Sequence, residues 1–145
     1  MYGIFEISDW FLTKEKLTPK KLQKLCYYAQ AWSLALTKEK IIDCDFEAWV
    51  HGPVCNELYQ KYKRYGWTPI TRTSSSGITN PKDIELLESV WLTYGQYDGQ
   101  QLESLTHQED PWINARRNLD PLESSNNKIS EKDMENYYIS RYIGG

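Results

Sequence analysis

A chain of 145 residues in which 40% are hydrophobic has the size of one domain and enough apolar side chains for one core. The formal net charge of −3 argues against a general nucleic-acid binder. No apolar stretch approaches the ~20 residues of a membrane-spanning helix, and residues 1–6 lack the basic region of a signal peptide. We therefore expect a cytoplasmic protein without a membrane partner.

The aromatic and sulfur-containing residues narrow the class further. The 6 Trp and 11 Tyr bury large areas while keeping a polar tip, so some are expected at a partner interface. The three cysteines form an odd set without a C-x-x-C pair, which predicts buried thiols rather than disulfides or a zinc site. His51 and His107 could form a Cys/His catalytic pair or a metal site, but their spacing favours hydrogen bonds to loop backbone.

Helical periodicity begins at the N-terminus. Apolar residues at helical spacing predict a short helix within the first dozen residues. Thr18 and Pro19 then form a cap and first-turn signal for a helix that runs to about Leu36. On that helix the spacing places Gln23 and Lys24, together with Lys20 and Lys21, on a solvent-exposed face.

The next segment combines an extended run with turn signals. Residues 41–49 alternate in character and predict a short extended segment that ends at Gly52-Pro53. Pro53 is then expected to begin a helix with Val54, Leu58, Tyr59 and Tyr62 turned inward. Gly66 is expected to end that helix in a left-handed conformation.

The second half continues the helical pattern. Residues 71–80 form a polar loop, and Asn80-Pro81 precedes a long helix through Tyr94. Short helices are expected around residues 102–107 and from Asp110-Pro111, and Ser130 caps a final helix. The predicted fold is mainly α: a compact single-domain bundle of about five to seven helices with at most a short β segment.

Basic and aromatic residues alternate over residues 59–67, in the sequence YQKYKRYGW. This pattern could stack bases and neutralise phosphates, with Lys61, Lys63 and Arg64 as its centre. The acidic net charge and the position at a helix end favour half-buried tyrosines beside cations at the helix dipole. Binding of nucleic acid is therefore a minor alternative.

Three blocks together resemble a known family. TPKKLQKLCYYAQAW at 18–32, FEAWVHGPV at 46–54 with Leu58 and Tyr59, and LTHQEDPW at 105–112 with Ala115 and Arg116 are similar to the Panacea antitoxin domain, also called SocA-like or GepA-like phage-associated proteins. The resemblance covers about residues 4–117 of one domain spanning 1–145. Residues 118–145 would form a C-terminal extension with a final helix.

The resemblance implies a protein-binding function. Family members are commonly encoded beside a toxin that they neutralise, and one is described as an adaptor that delivers its toxin to a protease. It implies no enzymatic activity and no cofactor, which agrees with the lack of a phosphate loop, a G-x-S-x-G elbow or an H-E-x-x-H helix. A phage or mobile-element protein that binds a host or defence factor is the alternative, and an enzyme is a lesser one.

The family motifs supply the candidate partner-binding residues. Their structural use as turns, helix starts and core anchors is the competing interpretation. The candidates are Lys24, Tyr28, Trp32, Trp49, His51, Gly52, Pro53, Tyr59, Thr106, His107, Pro111 and Trp112.

Overall fold

The computed structural model describes residues 1–71, residues 75–141 and the backbone of residue 142. Within these residues seven helices and one two-stranded sheet follow one another along the chain. In order they are α1 (Ile4–Leu12), α2 (Pro19–Thr37), β1 (Glu47–Trp49), β2 (Gly52–Val54), α3 (Asn56–Tyr62), α4 (Pro81–Tyr94), α5 (Gly99–Thr106), α6 (Asp110–Ala115) and α7 (Glu131–Tyr142). The predicted mainly helical fold with a short β segment is confirmed.

Helix α2 is the central element. The hydroxyl of Thr18 accepts a hydrogen bond from the backbone N–H of Lys21 at 3.2 Å, and Pro19 opens the first turn, as predicted. Every residue from 22 to 35 is buried, because α1, α4, α5 and α7 all pack against this helix. A helix that is buried on all sides has no solvent-exposed face for polar residues.

The expectation that Gln23 and Lys24 are solvent-exposed is therefore wrong. Their side chains are 4% and 1% exposed, while Lys20 and Lys21 are half-buried. The β1–β2 hairpin covers this side of α2, and the polar ends of Gln23 and Lys24 bond to its backbone. Sequence periodicity cannot identify this arrangement. It shows which residues are polar, but it does not show which distant groups form hydrogen bonds with them.

The hairpin replaces the helix start expected at Pro53. Strands β1 and β2 are antiparallel, with Trp49 opposite Gly52 and Ala48 opposite Pro53. Proline has no N–H to donate but is tolerated in such a short edge strand. Because residues 52–54 are extended, helix α3 begins only at Asn56. Tyr59 is also less buried than expected, at 39% exposure.

Beyond α3 the predicted boundaries hold. Helix α3 already ends at Tyr62 and a 3-10 turn follows it, which Gly66 ends with φ 58° and ψ −115°. The left-handed helical conformation expected for Gly66 is therefore wrong, although its φ is positive. Residues 75–80 form an irregular loop in which Ile78 is buried; residues 72–74 of the predicted loop lie outside the described residues. The side chain of Asn80 caps α4 and that of Asp98 caps α5, each through backbone N–H groups of the first turn.

The C-terminal segment packs against the rest of the fold. Residues 127–129 run beside β1, where the N–H of Ala48 donates to Asn127 at 2.8 Å and the N–H of Ile129 donates to Phe46 at 2.8 Å. Helix α7 then buries Met134 and Tyr138 against α2. One continuous hydrophobic core thus includes residues from α1 through α7.

In the part of the chain that the structure describes, no helix is long and apolar enough to cross a membrane.

Candidate functional site

Polar side chains of α2 bind the backbone of the hairpin directly. The amide of Gln23 accepts from the N–H of Cys55 at 2.9 Å and donates to its carbonyl at 3.0 Å. The ammonium of Lys24 donates to the carbonyl of Pro53 at 3.2 Å. These bonds satisfy backbone groups that the short sheet leaves unpaired, so α2 fixes the position of β2.

Gln30, two helical turns after Gln23, binds the backbone of the segment before the hairpin. Its Oε1 accepts from the N–H groups of Ile41 and Ile42 at 3.0 and 2.9 Å. Its amide nitrogen donates to the carbonyl of Ile42 at 2.9 Å. Buried polar side chains of α2 therefore anchor both ends of residues 41–55.

The buried ammonium of Lys24 lies beside Gly52. Burial lowers the pKa of Lys24 to about 7, although nearby Glu103 raises it in part and Lys20 lowers it further. Gly52 has a φ of +106°, and a β-carbon there would lie 2.7 Å from Cε of Lys24 and 3.0 Å from Oγ1 of Thr106. Position 52 thus requires glycine, both for its backbone conformation and for its close approach to α2 and α5.

Glu103 on α5 joins the hairpin turn to α2. Its carboxylate bonds to Nζ of Lys20 at 2.7 Å and to Nδ1 of His51 at 3.2 Å. Burial raises the pKa of Glu103, but the bonds and charges of Lys20 and His51 outweigh it and lower the pKa. His51 keeps 66% of its side chain exposed, and it binds a carboxylate rather than the loop backbone expected from the sequence.

Helix α6 supports the other strand. The indole N–H of Trp112 donates to the carbonyl of Trp49 at 2.8 Å, and Arg116 donates to the carbonyl of Ala48 at 2.9 Å. The guanidinium also lies over the Trp112 ring, 4.9 Å from its centroid. Pro111 is buried in the first turn of this helix. The D-P-W motif thus begins α6 and supplies the tryptophan that binds β1.

His107 stacks on Trp112, with ring centroids 4.1 Å apart and planes inclined by 21°. Burial lowers the pKa of His107, although Glu103 and a hydrogen bond to the backbone of Val50 raise it in part. The hydrogen bond of this imidazole to loop backbone, expected from the sequence, therefore stays a prediction that its position beside Val50 favours. Its buried Nε2 has no hydrogen-bond partner within the described residues.

A second polar cluster lies away from the hairpin, around Glu109. The hydroxyls of Tyr28 and Tyr138 both donate to Oε1 of Glu109 at 2.7 Å. Burial raises the pKa of Glu109 to about 7, and the two hydroxyls oppose that rise. Tyr94 stacks on Tyr28 at 3.9 Å and accepts a bond from the indole of Trp32 at 3.2 Å. These residues hold α7, α4 and α2 together in the core.

An apolar groove opens between the hairpin, α3 and the start of α2, with a volume of about 210 Å³. Trp49 and Tyr59 line it and contact each other edge to face, with ring centroids 4.9 Å apart, and Trp67 also lines it with 82% of the residue exposed. We call this feature the aromatic groove. Its lining consists of Pro19, Lys20, Leu22, Gln23, Lys24, Trp49, His51, Val54, Leu58, Tyr59, Tyr62, Lys63, Gly66 and Trp67.

The structure brings most of the sequence candidates together at the hairpin. Tyr28 and Trp32 are the exceptions, because they belong to the cluster around Glu109. The sequence did not reveal the anchoring roles of Gln23, Gln30, Glu103, Glu109 and Arg116. Gln23 and Gln30 lie seven residues apart on α2, a spacing that would have placed both amides on one face of the helix.

The cysteines and histidines do not form a nucleophile and base pair within the described residues. The neighbouring thiol of Cys44 lowers the pKa of Cys55, while burial raises the pKa of Cys26 well above its usual value. His51 and His107 instead contact Glu103 and Trp112. Among the described residues, no three His, Cys, Asp or Glu side chains converge in a way that could hold a metal ion.

Comparison with protein-family models gives a match over most of the chain. The model described as antitoxin SocA-like, Panacea domain matches residues 22–113, more than half of the chain and within the range of 4–117 expected from the motifs. No curated protein and no solved structure matches the chain. The matched segment contains most of α2, the hairpin, and α6 through Ile113, which are the elements that build the candidate site. This chain belongs to the antitoxin SocA-like, Panacea domain family.

Proposed function

We propose that this chain is an antitoxin that neutralises a toxin encoded by a neighbouring gene through direct, non-covalent binding. Membership of the antitoxin SocA-like family is the observation that supports this proposal most strongly. The aromatic groove supports it further, because exposed Trp and Tyr residues held on a rigid scaffold often dominate the binding energy of protein interfaces. Such binding requires neither a cofactor nor a catalytic residue.

Apart from Tyr28 and Trp32, which lie in the cluster around Glu109, the sequence candidates divide into two roles under this proposal. Trp49, His51 and Tyr59 are partly or largely exposed beside the groove and would contact the toxin. The buried candidates would position them from behind; they are Lys24, Gly52, Pro53, Thr106, Pro111 and Trp112, with half-buried His107. Substitution of an exposed candidate should therefore weaken binding without unfolding the protein, whereas substitution of a buried one should do both.

The test is co-expression with the product of the adjacent gene. We expect that product alone to arrest growth, the two together to permit growth, and the purified pair to co-elute from a size-exclusion column. A non-toxic neighbour that forms no complex would contradict the proposal and favour a host or defence factor as partner. Rescue without co-elution would contradict direct binding.

The fate of the toxin distinguishes blocking from delivery to a protease. If this chain acts by occupying the toxin, the toxin's half-life in cells should not shorten when both are expressed. A shorter half-life that depends on a cellular protease would instead indicate an adaptor. Immunoblotting of the toxin after translation is stopped, with and without this chain, measures the difference.

A further inference from the structure

We infer that the aromatic groove receives a large apolar side chain of the partner, next to an Asp or Glu in the partner's sequence. The inference rests on the proposed function and specifies which segment of a toxin this chain would bind. An acidic peptide segment with one large apolar side chain is the single occupant to which the shape and charge of the groove correspond.

The size and lining of the groove determine the apolar part of the ligand. Its volume of about 210 Å³ lies below the ~300–1,000 Å³ of typical small-molecule sites, so an inserted side chain fits it better than a cofactor. Leu22, Val54 and Leu58 form its floor. Trp49 and Tyr59 form a wall against which an aromatic ring can pack edge to face.

The charges around the groove indicate the acidic part of the ligand. The basic residues of its lining are three lysines and one histidine, and no Asp or Glu lines the groove within the described residues. Glu103 already binds Lys20 and His51, and Lys24 is buried. Lys63 therefore remains at the rim as an exposed cation whose bond to Gln60 at 2.8 Å is easily exchanged for a carboxylate.

The neighbourhood of Lys63 strengthens this charge complementarity. Lys61 and Arg64 flank it in sequence and are exposed, each near an aromatic ring. Residues 61–64 thus carry three cations on a chain whose formal net charge is −3, and Lys63 is the one that lines the groove. An acidic segment that approaches the groove is attracted to Lys63 and to these neighbouring cations.

A nucleic acid fits these observations less well than a peptide. Binding of a phosphate backbone needs a groove of several unpaired cations along its length, and stacking needs exposed aromatic faces in series. Here the lining is predominantly apolar, and two of its basic residues, Lys20 and His51, are engaged by Glu103. The observations therefore favour one or two carboxylates beside an apolar anchor.

Peptide selection on the purified chain tests the inference and can be carried out before any toxin is identified. A phage-displayed library of random peptides is selected on the wild-type protein. We expect enrichment of sequences with an aromatic or large aliphatic residue adjacent to Asp or Glu. A synthetic peptide of the enriched sequence is then titrated by fluorescence polarisation and tested for displacement of the neighbouring gene's product.

Three variants locate the binding. Trp67→Ala and Tyr59→Ala should each weaken the peptide's affinity about 10-fold or more, as for aromatic interface anchors. Lys63→Glu should weaken it and reverse its salt dependence. Leu92→Ala, at a residue on α4 that is 77% exposed and outside the groove, is the matched control and should bind as wild type. Circular dichroism confirms that each variant is folded.

Several results would overturn the inference. These are enrichment of basic or purely polar peptides, unchanged affinity of the Trp67 and Tyr59 variants, or binding of single-stranded oligo(dT) alone with a steep salt dependence. A toxin complex that survives all three groove substitutions would overturn it while the proposed antitoxin function stands. The opposite result is also informative. If acidic peptides bind in a way that depends on the groove but the neighbouring gene's product forms no complex, the inference is supported and that product is excluded as the toxin.

Discussion

Gly52 and Lys24 are in direct contact across the interface between the hairpin and α2. The backbone of Gly52, at a φ of +106°, approaches so closely that a β-carbon would lie 2.7 Å from Cε of Lys24. The same lysine donates to the carbonyl of Pro53, the next residue of β2. The position of the hairpin, and of the partly exposed Trp49 that it carries, thus depends on a buried backbone contact.

Gly52→Ala should destabilise the protein by about 1–3 kcal/mol, because a non-glycine residue is strained at this φ and its methyl group would displace Lys24. Urea denaturation measures the free energy of unfolding. Gly77→Ala is the control, since no atom lies within 4 Å of a β-carbon there. Equal stability of the two variants would show that the hairpin does not require glycine.

Lys24→Met should remove a pH dependence of stability. Burial lowers the pKa of Lys24 from 10.5 to about 7, so the unfolded chain binds one more proton than the folded chain between these values. The wild type should therefore lose stability as the pH falls from about 10 to 7, by up to about 1.4 kcal/mol per unit. In Lys24→Met this slope should be absent.

Urea denaturation at pH 7, 8 and 9 measures the slope. Lys82→Met, at an exposed position on α4, serves as the control and should retain the wild-type slope. Parallel slopes in the wild type and Lys24→Met would contradict a buried amine whose ionisation opposes folding.

Glu109→Gln should change the pH dependence in the opposite sense. Burial raises the pKa of Glu109 from 4.5 to about 7, so this group stabilises the fold below pH 4.5 and that contribution is lost as the pH rises through 7. Glutamine retains an acceptor for Tyr28 and Tyr138 but cannot ionise. Between pH 5 and 7.5 the variant should gain stability relative to the wild type.

Thermal denaturation of both proteins across this pH range provides the comparison. Glu123→Gln, at an exposed position, is the matched control and should track the wild type. A difference between Glu109→Gln and wild type that stays constant with pH would mean that Glu109 does not titrate in this window.

Met134→Ala tests whether the C-terminal extension belongs to the same cooperative domain as the rest. Met134 is 1% exposed in the interface between α7 and α2, so its truncation should cost about 2–5 kcal/mol. Leu122→Ala, at a residue that is 84% exposed, should cost little. We expect one unfolding transition, shifted as a whole, by tryptophan fluorescence and circular dichroism alike.

Two transitions, of which only one shifts in Met134→Ala, would instead show that α7 unfolds separately from the remainder of the chain.

The sequence by itself determined the helices and the family. Thr18-Pro19 and Asn80-Pro81 mark helix starts correctly because a cap and a first-turn proline act through backbone groups within a few residues. The three motif blocks likewise identify an antitoxin SocA-like domain, since local sequence is what a family model compares. Such signals do not depend on distant contacts.

Only the tertiary structure decided which polar residues are buried and which groups form hydrogen bonds with them. Lys24 has the sequence appearance of a solvent-exposed helix position, and Pro53 that of a helix start. In the structure the hairpin covers Lys24 and includes Pro53 in strand β2. Glu109 meets Tyr28 and Tyr138 across 81 and 29 residues of chain. The burial of a charge depends on such long-range partners, and neither periodicity nor local spacing encodes them.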